Sequence, residues 1–192
     1  MQISPRARYA IKAVCLLVTI VGAGQALKAI STRYRIGIDL QTITCLPTHF
    51  AVIRMRAPAV VRKGDLVAFH TSRATRFFPE STLLGKRVAG LAGDRYEVRN
   101  DEFYINGVPE RYLTLCKKGV VNKLCANRKG VVPQGQMLVL ADHPFSWDSR
   151  YWGPTPIAGI VGTIVWPSIP DPGPNTAPSG PVATVSAAGA HG

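Results

Sequence analysis

A long apolar run near the N-terminus limits the folds that are open to this chain. Between Ala13 and Leu27 the run is broken only by a threonine, two glycines and a glutamine. Counted over residues 9–30, it reaches the roughly 20 residues that a membrane-spanning helix needs. Lys12 and Lys28 lie near its two ends, where lysine side chains can extend to the lipid headgroups. The run therefore predicts a membrane segment.

Three interpretations of this run are open. It can be an uncleaved anchor, a cleaved signal peptide with the small residues Ala23-Gly24-Gln25-Ala26 but no Ala-x-Ala site, or a buried helix of a soluble domain. Arg6 and Arg8 precede it, which favours a cytoplasmic N-terminus, although Arg33 and Arg35 on the far side oppose that bias. The first two interpretations place everything after residue 30 outside the cytoplasm.

After the apolar run, the sequence pattern predicts β-structure. Short runs rich in β-branched and aromatic residues alternate with glycine, proline, asparagine and aspartate, and no segment keeps a helical period beyond two turns. Lys63-Gly64-Asp65, Asn100-Asp101 and Asn106-Gly107 are turn signals, since Gly and Asn accept positive φ. The predicted strands are Phe50–Met55, Leu66–Phe69, Arg87–Leu91, Tyr96–Arg99, Phe103–Ile105, Met137–Leu140 and Ile160–Trp166. We therefore expect a mainly β fold of antiparallel sheets, preceded by one N-terminal transmembrane helix.

Composition divides the chain into four parts. We expect a basic cytoplasmic leader over residues 1–9, a transmembrane anchor over 10–30, an exported domain over 31–168 and a disordered Pro/Gly/Ala-rich tail over 169–192. The tail follows Trp166 as Pro167-Ser168-Ile169-Pro170 and then contains no aromatic residue that could anchor it. At 192 residues, the chain has room for one catalytic-sized domain.

The charge of the chain indicates an anionic partner. Lys+Arg number 23 against 11 Asp+Glu, a formal net charge of +12. This excess suits nucleic acid or an anionic membrane surface. The basic residues are scattered, no recognition-helix pattern occurs and a membrane segment precedes the domain, so we expect membrane lipid and no nucleic acid as a partner.

Three segments carry the chemistry-bearing residues. They are Thr44-Cys45-Leu46-Pro47, Leu84-Gly85-Lys86-Arg87-Val88-Ala89-Gly90-Leu91-Ala92-Gly93-Asp94, and Ala141-Asp142-His143 with Ser146-Trp147-Asp148-Ser149-Arg150-Tyr151-Trp152-Gly153. Lys86 lies in an apolar strand. Burial disfavours the charged form of a lysine, and a neutral lysine can serve as a general base. Taken alone, Lys86 is better interpreted as a solvated strand residue beside Arg87.

These segments resemble the type I signal peptidases, which are membrane-anchored Ser/Lys-dyad peptidases. The second segment resembles their Lys-Arg-Val-x-Gly-x-x-Gly-Asp box, and the third resembles their Gly-Asp-Asn and Ser-x-Asp-Ser-Arg-Tyr-x-Gly box. Gly64-Asp65-Leu66-Val67-Ala68-Phe69 and Tyr104-Ile105-Asn106-Gly107 are similar to two further family motifs, in the same order along the chain. The resemblance implies antiparallel β-sheets of the signal-peptidase type, in a domain on the periplasmic side of a bacterial inner membrane with a single-pass anchor.

The resemblance also implies roles for individual residues. Lys86 would be the general base, and Ser146 would orient its amine. Asp148 and Arg150 would form an internal ion pair that fixes their loop. The substrate would be an exported precursor protein, bound extended against strands near the nucleophile.

The nucleophile position departs from the family pattern. The family has a serine in a Ser-Met-x-Pro sequence, whereas this chain has Cys45 with Pro47 two residues later. The shorter spacing resembles the conjugative-transfer branch, which matures pilins and in some members closes the pilin into a ring. Other interpretations of Cys45 are a small buried side chain, half of a disulfide with Cys116 or Cys125, and the mark of an enzyme that has lost its serine.

Cysteine spacing separates these alternatives in part. Cys116 and Cys125 lie nine positions apart in a predicted loop and most simply pair with each other in an oxidising compartment. Cys15 falls in the membrane segment. Cys45 is then the free thiol of the exported domain, which favours it as the nucleophile. Its covalent intermediate would be a thioester, and because thioesters react readily with amines, we expect acyl transfer, such as pilin cyclisation, alongside hydrolysis.

The residues around Cys45 also suggest how an oxyanion would be held, and one alternative function stays open. The Cys45 backbone N–H and a hydroxyl from Thr44 or Thr42 would hold the oxyanion, although Ile43 occupies the place of the usual donor. His49 is a less favoured base. No cysteine or histidine spacing suits a metal, so we expect neither metal nor cofactor. The alternative function is an inactive structural or docking subunit of a secretion or conjugation apparatus.

Overall fold

The apolar run forms one long helix in the computed structural model, which describes residues 5–39, 45–121 and 124–170. This helix, α1, spans Pro5–Arg33, and every described side chain along it is exposed. Within its segment Arg8–Arg33, an 18-residue window has a mean hydropathy of 1.9, so the helix is long and apolar enough to cross a membrane. A helix that is apolar on all sides and uncovered by protein suits lipid surroundings. The interpretation as the buried helix of a soluble domain is not supported by this exposure.

The domain after α1 contains two antiparallel sheets, as the sequence predicts. The larger sheet has the strand order β1-β2-β11-β3-β4-β9-β10 and the smaller has the order β7-β6-β5-β8. The strands are β1 (Tyr34–Ile38), β2 (Phe50–Arg54), β3 (Leu66–Phe69), β4 (Leu84–Leu91), β5 (Arg95–Arg99), β6 (Glu102–Ile105), β7 (Val108–Tyr112), β8 (Arg128–Val131), β9 (Gln136–Leu140), β10 (Thr155–Pro156) and β11 (Ile160–Trp166). Two four-residue helices, α2 (Thr114–Lys117) and α3 (Ser149–Trp152), interrupt the strands.

All seven predicted strands are present, and four further strands were not predicted. β7 contains Pro109 and β8 contains Gly130, residues that weaken a strand signal. β10 is only two residues long, and β1 follows α1 without a break. β4 begins at Leu84, three positions before the predicted start, and it includes Lys86.

The hairpins of the smaller sheet confirm the predicted turns. Asn100 and Asp101 have φ of 50° and 59° between β5 and β6, and Asn106 and Gly107 have φ of 52° and 82° between β6 and β7. Two consecutive positive φ values define the two-residue turns whose twist matches that of antiparallel strands. These turns fix the register of the three strands.

A single apolar core joins the two sheets. Val67, Val88 and Leu138 of the larger sheet and Val98 and Phe103 of the smaller sheet are all fully buried within it. β4 and β9 pair with each other and both contribute buried side chains to this core, so the core holds both strands firmly. Residues carried by β4, and by the loop that follows β9, are therefore set on rigid supports.

A disulfide links Cys116 and Cys125, as the spacing predicts, and Cys15 and Cys45 are free thiols. The backbone N–H of Leu115, next to the disulfide, donates to the Tyr151 hydroxyl at 3.1 Å. The cross-linked loop thus contacts the segment that follows Asp148.

Replacing Cys116 and Cys125 together by alanine is expected to lower the free energy of unfolding by about 3 kcal/mol, because the cross-link closes a loop of about ten residues in the unfolded chain. Urea unfolding of the detergent-solubilised chain measures this change. The Cys15→Ala variant, which removes an exposed thiol, is the control and should unfold like the wild type. Equal unfolding of the double variant and the wild type would contradict the expectation.

The start of the predicted tail is ordered against the domain. The carbonyl oxygens of Ile169 and Pro170 accept hydrogen bonds from the Arg87 guanidinium, at 3.3 Å and 3.0 Å. The first two residues of the predicted tail are thus hydrogen-bonded to a buried guanidinium. The rest of the predicted tail lies outside the described residues.

Candidate active site

Three side chains that are far apart in sequence meet at one point. The Lys86 Nζ atom donates to the Cys45 Sγ atom at 2.8 Å and to the Ser146 Oγ atom at 2.7 Å. The Ser146 hydroxyl also lies 3.3 Å from the Cys45 sulfur. Lys86 is fully buried and Ser146 is 4% exposed, whereas Cys45 is partly exposed. Cys45 is thus the residue of this cluster that keeps partial exposure to solvent.

Strand alternation explains why Lys86 points inward. It pairs with Val67 of β3 and shares a face of β4 with Leu84 and Val88, all buried. Lysine is seldom buried without a partner because its ammonium loses solvation. Here the sulfur and the hydroxyl replace water as its neighbours.

A hydrogen bond to the Cys45 carbonyl oxygen and the burial of the next side chain, Leu46, fix the position of Cys45. The Cys45 carbonyl oxygen accepts a hydrogen bond from the Asp142 backbone N–H at 3.1 Å. The next side chain, Leu46, is buried above Gly85, where an added Cβ would meet Ile164 at 3.0 Å and Leu46 at 3.7 Å. Gly85 therefore leaves room mainly for the Ile164 side chain, and Leu46 packs beside it. Thr44, the predicted oxyanion donor, lies outside the described residues.

The ion pair expected between Asp148 and Arg150 is present and completely buried. Arg150 Nη2 lies 2.7 Å from Asp148 Oδ2, and Nε donates to Oδ1 at 2.8 Å. Burial opposes the charged form of Arg150, but the attraction of Asp148 outweighs it and raises the pKa of the guanidinium. Arg150 also donates to the carbonyl oxygens of His143, Pro144, Ser146 and Tyr112. The arginine therefore holds the loop that carries Ser146.

A second ion pair, between Arg87 and Asp142, was assigned no role from the sequence. Its Nη2–Oδ2 distance is 3.1 Å, and both side chains are largely buried. Both residues belong to the segments that carried the family resemblance. The sequence shows an arginine within one apolar strand and an aspartate just after a second apolar strand. It does not show that the two residues meet, because that contact depends on strand order.

The rings of His49 and His143 form hydrogen bonds with backbone groups rather than with Cys45. The ring Nδ1 of His49 lies 3.0 Å from the Asp39 carbonyl oxygen. The ring Nδ1 of His143 accepts the Phe145 backbone N–H at 3.2 Å. Burial, followed by the positive charge of Arg150, lowers the pKa of His143 below its ordinary 6.5. The neutral imidazole thus caps the loop between β9 and Ser146.

This shift predicts a pH dependence that His143→Asn should reduce. Because the folded pKa lies below the unfolded one, the stabilisation is complete above about pH 6.5 and is lost as the pH falls through the lower, folded value. Asparagine offers an oxygen to the Phe145 N–H and does not titrate. The variant should match the wild type near pH 8 and lose less stability on acidification, measured by urea unfolding. Equal losses in both proteins would contradict this account.

A cavity of about 470 Å³ lies elsewhere in the domain. Arg73, Tyr96, Arg128 and Trp152 are among its lining residues, and neither Cys45, Lys86 nor Ser146 is. Arg128 donates to the backbone carbonyls of Leu124 and Arg150. We therefore assign the candidate active site to the sulfur–lysine cluster, not to this cavity.

Comparisons with known proteins show the family of the chain. The chain belongs to the signal peptidase family, peptidase S26, whose family model matches residues 8–169. Signal peptidase I of Bacillus caldolyticus is 34% identical over 121 residues, covering 56% of this chain and 63% of that protein. Signal peptidase IB of Staphylococcus aureus (strain Mu50) is 33% identical over 125 residues, covering 56% and 62%. The chain thus spans less than two thirds of these curated relatives.

A solved structure is also similar. The crystal structure of a signal peptidase I from Enterococcus faecalis is 31% identical to this chain, with a TM-score of 0.36. The match covers 54% of this chain and 96% of the solved one. The family assignment itself rests on the sequence match over residues 8–169.

Proposed function

We propose that this protein is a membrane-anchored endopeptidase that cleaves an exported precursor through an acyl-enzyme on Cys45, with Lys86 as the general acid and base. The observation that carries the proposal is the 2.8 Å contact between the Cys45 sulfur and the buried Lys86 amine. Membership of the signal peptidase family supports the reaction class. The partly exposed sulfur beside a buried proton carrier fits nucleophilic catalysis.

The acylation step follows from this contact. The Cys45 sulfur, having given its proton to the Lys86 amine, attacks the scissile carbonyl carbon and forms a C–S bond. The carbonyl π electrons move to oxygen and give an oxyanion. When they return, the C–N bond breaks, and the Lys86 ammonium delivers its proton to the leaving amine. A thioester remains on Cys45. Ser146, which receives a hydrogen bond from Lys86, keeps the amine aimed at the sulfur.

The second step sets the product. If water attacks the thioester, Lys86 accepts its proton, the C–S bond breaks, the sulfur is reprotonated and a linear chain is released. If the amine of a peptide attacks, the same proton path forms a new peptide bond. We propose a conjugative pilin as the precursor and ring closure as an outcome, because the Cys45–Pro47 spacing resembles the pilin-maturing branch and a thioester favours amines.

We further propose a single-pass anchor in a bacterial inner membrane, with the active site on the periplasmic side. The exposed apolar helix α1 supports the anchor, and the Cys116–Cys125 disulfide is typical of an oxidising compartment. β1 follows α1 directly. In β1 and the two strands next to it in the larger sheet, β2 and β11, the side chains of Ile36, Phe50 and Trp166 are 73%, 55% and 57% exposed. Such a surface next to an anchor suits contact with membrane lipid.

Intact mass measurement of a candidate pilin precursor, after co-expression with each variant, tests the proposal. We expect Cys45→Ala and Lys86→Ala to leave the precursor uncut, and Cys15→Ala to process it like the wild type. Cys45→Ser tests whether an oxygen nucleophile suffices. A product lighter by one water than the cleaved chain identifies ring closure, and only linear product under every condition would contradict the transfer reaction. Processing by Cys45→Ala would contradict the nucleophile and favour the docking-subunit alternative.

A further inference from the structure

We propose that residues 167–170, called here the C-terminal strap, position Cys45 through Arg87 and Asp142. This inference rests on the proposed function, since it assigns a role at the same site. The strap follows β11 and reaches Arg87 on β4. Thr163 of β11 pairs with Val67 of β3, and Leu66 of β3 pairs with Arg87. The C-terminal end of β11 and Arg87 thus lie at the same end of these neighbouring strands.

The guanidinium of Arg87 is the centre of the arrangement. Arg87 is only 5% exposed. Its Nε and Nη2 atoms donate to the two Asp142 carboxylate oxygens at 3.4 Å and 3.1 Å. Its Nη1 atom donates to the Gly64 carbonyl at 3.3 Å. Both Nη atoms donate to the Ile169 carbonyl at 3.3 Å, and Nη2 also donates to the Pro170 carbonyl at 3.0 Å. The strap therefore supplies acceptors to both Nη atoms, beside the Asp142 carboxylate.

Asp142 transmits this arrangement to the cysteine. Its carboxylate is held by Arg87, while its backbone N–H donates to the Cys45 carbonyl at 3.1 Å. Arg87 and Lys86 are neighbours on β4, so the same strand fixes the lysine amine and, through Asp142, the main chain of Cys45. The 2.8 Å distance between sulfur and amine depends on both supports.

Loss of the strap should leave buried guanidinium N–H groups without these acceptors. A buried donor without a partner is unfavourable, so the guanidinium would shift toward solvent and release Asp142. The Cys45 main chain would then move relative to Lys86. Small displacements of reacting groups reduce turnover more than they reduce binding. Arg87, Asp142 and the strap are accordingly positioning residues, because none of them touches the sulfur or the amine.

The test compares two truncations in the full membrane-anchored chain. One ends at Pro167 and removes Ile169 and Pro170. Its matched control ends at Pro174 and keeps both carbonyl groups. Each is made in a Cys15→Ala background, so that Cys45 is the free thiol that iodoacetamide alkylates. Because alkylation needs no substrate, it tests the strap even if the chain processes no precursor. A substitution of Ile169 and Pro170 by glycine, which loosens the strap without shortening the chain, serves if the first truncation fails to fold.

We expect the Pro167 truncation to lower kcat about tenfold with KM nearly unchanged, and to slow alkylation at neutral pH about threefold, because the sulfur loses its close ammonium. The Pro174 truncation should behave like the full chain. In an Arg87→Lys background, which cannot bridge carboxylate and carbonyls, truncation should add no further loss. The proposal is overturned if the two truncations alkylate alike, if only the melting temperature falls, or if the truncation and Arg87→Lys effects add.

Discussion

Replacing Lys86 with methionine is expected to lower the rate of precursor processing about a thousandfold, within the range attributed to one general acid–base group. Methionine has a similar length and fills the same buried space, but it neither accepts a proton from the Cys45 sulfur nor donates one to the leaving amine. The Ser146 hydroxyl, 3.3 Å from the sulfur, cannot replace it, because a hydroxyl is a far weaker base at neutral pH.

Single-turnover processing of the precursor measures this effect, with melting temperature as the check on folding. Lys63→Met is the matched control. Lys63 is also near β3, but its side chain is 49% exposed and pairs with Asp94. Removing an ion pair whose lysine is about half exposed costs little stability and should leave processing intact. Wild-type processing by Lys86→Met would remove the lysine from the mechanism.

Replacing Arg150 with methionine is expected to reduce the free energy of unfolding by about 3–5 kcal/mol. The substitution leaves the Asp148 carboxylate buried with no countercharge, although it still accepts the backbone N–H groups of Ala141 and Arg150. It also removes the donors to the carbonyl oxygens of His143 and Ser146. The loop carrying Ser146 would lose its central support, so processing should fall together with stability.

Urea unfolding of the detergent-solubilised chain measures the loss. Arg56→Met, at an exposed position after β2, should change the free energy of unfolding by less than about 0.5 kcal/mol. Adding Asp148→Asn to Arg150→Met should recover part of the lost stability, since the uncompensated charge is then gone. A loss for Arg150→Met as small as that for Arg56→Met would show that the buried ion pair does not hold the loop.

The fold was predictable wherever local sequence determines local structure. The strands around Val67 and Leu138 are runs of apolar residues bounded by turn signals, and the Asn-Gly hairpin at Asn106 needs only its own two residues to explain it. β8 and β10 were not predicted because their strand conformation depends on pairing with a neighbouring strand rather than on their own residues. β8 contains Arg128, Lys129 and Gly130 and is held beside β5, while the two residues of β10 extend the sheet beyond β9.

The site was predictable only in part. Lys86 and Cys45 are 41 positions apart, and their contact was expected from the resemblance to a family rather than from any local pattern. Two features were not predicted. They are the hydrogen bond from the Asp142 backbone N–H to the Cys45 carbonyl and the contact of the C-terminal strap with Arg87. Both depend on which strands are neighbours, and sequence periodicity carries no information on strand order.

Cys45 is proposed to carry the atom that attacks the scissile carbonyl. The most direct measurement is the intact mass of the wild-type chain, quenched with acid within seconds of mixing with a pilin precursor. We predict a mass increase equal to the transferred fragment, located on the peptide that contains Cys45 and released by neutral hydroxylamine, as expected of a thioester. Processing without any adduct on Cys45, at the same rate in Cys45→Ala as in the wild type, would contradict it.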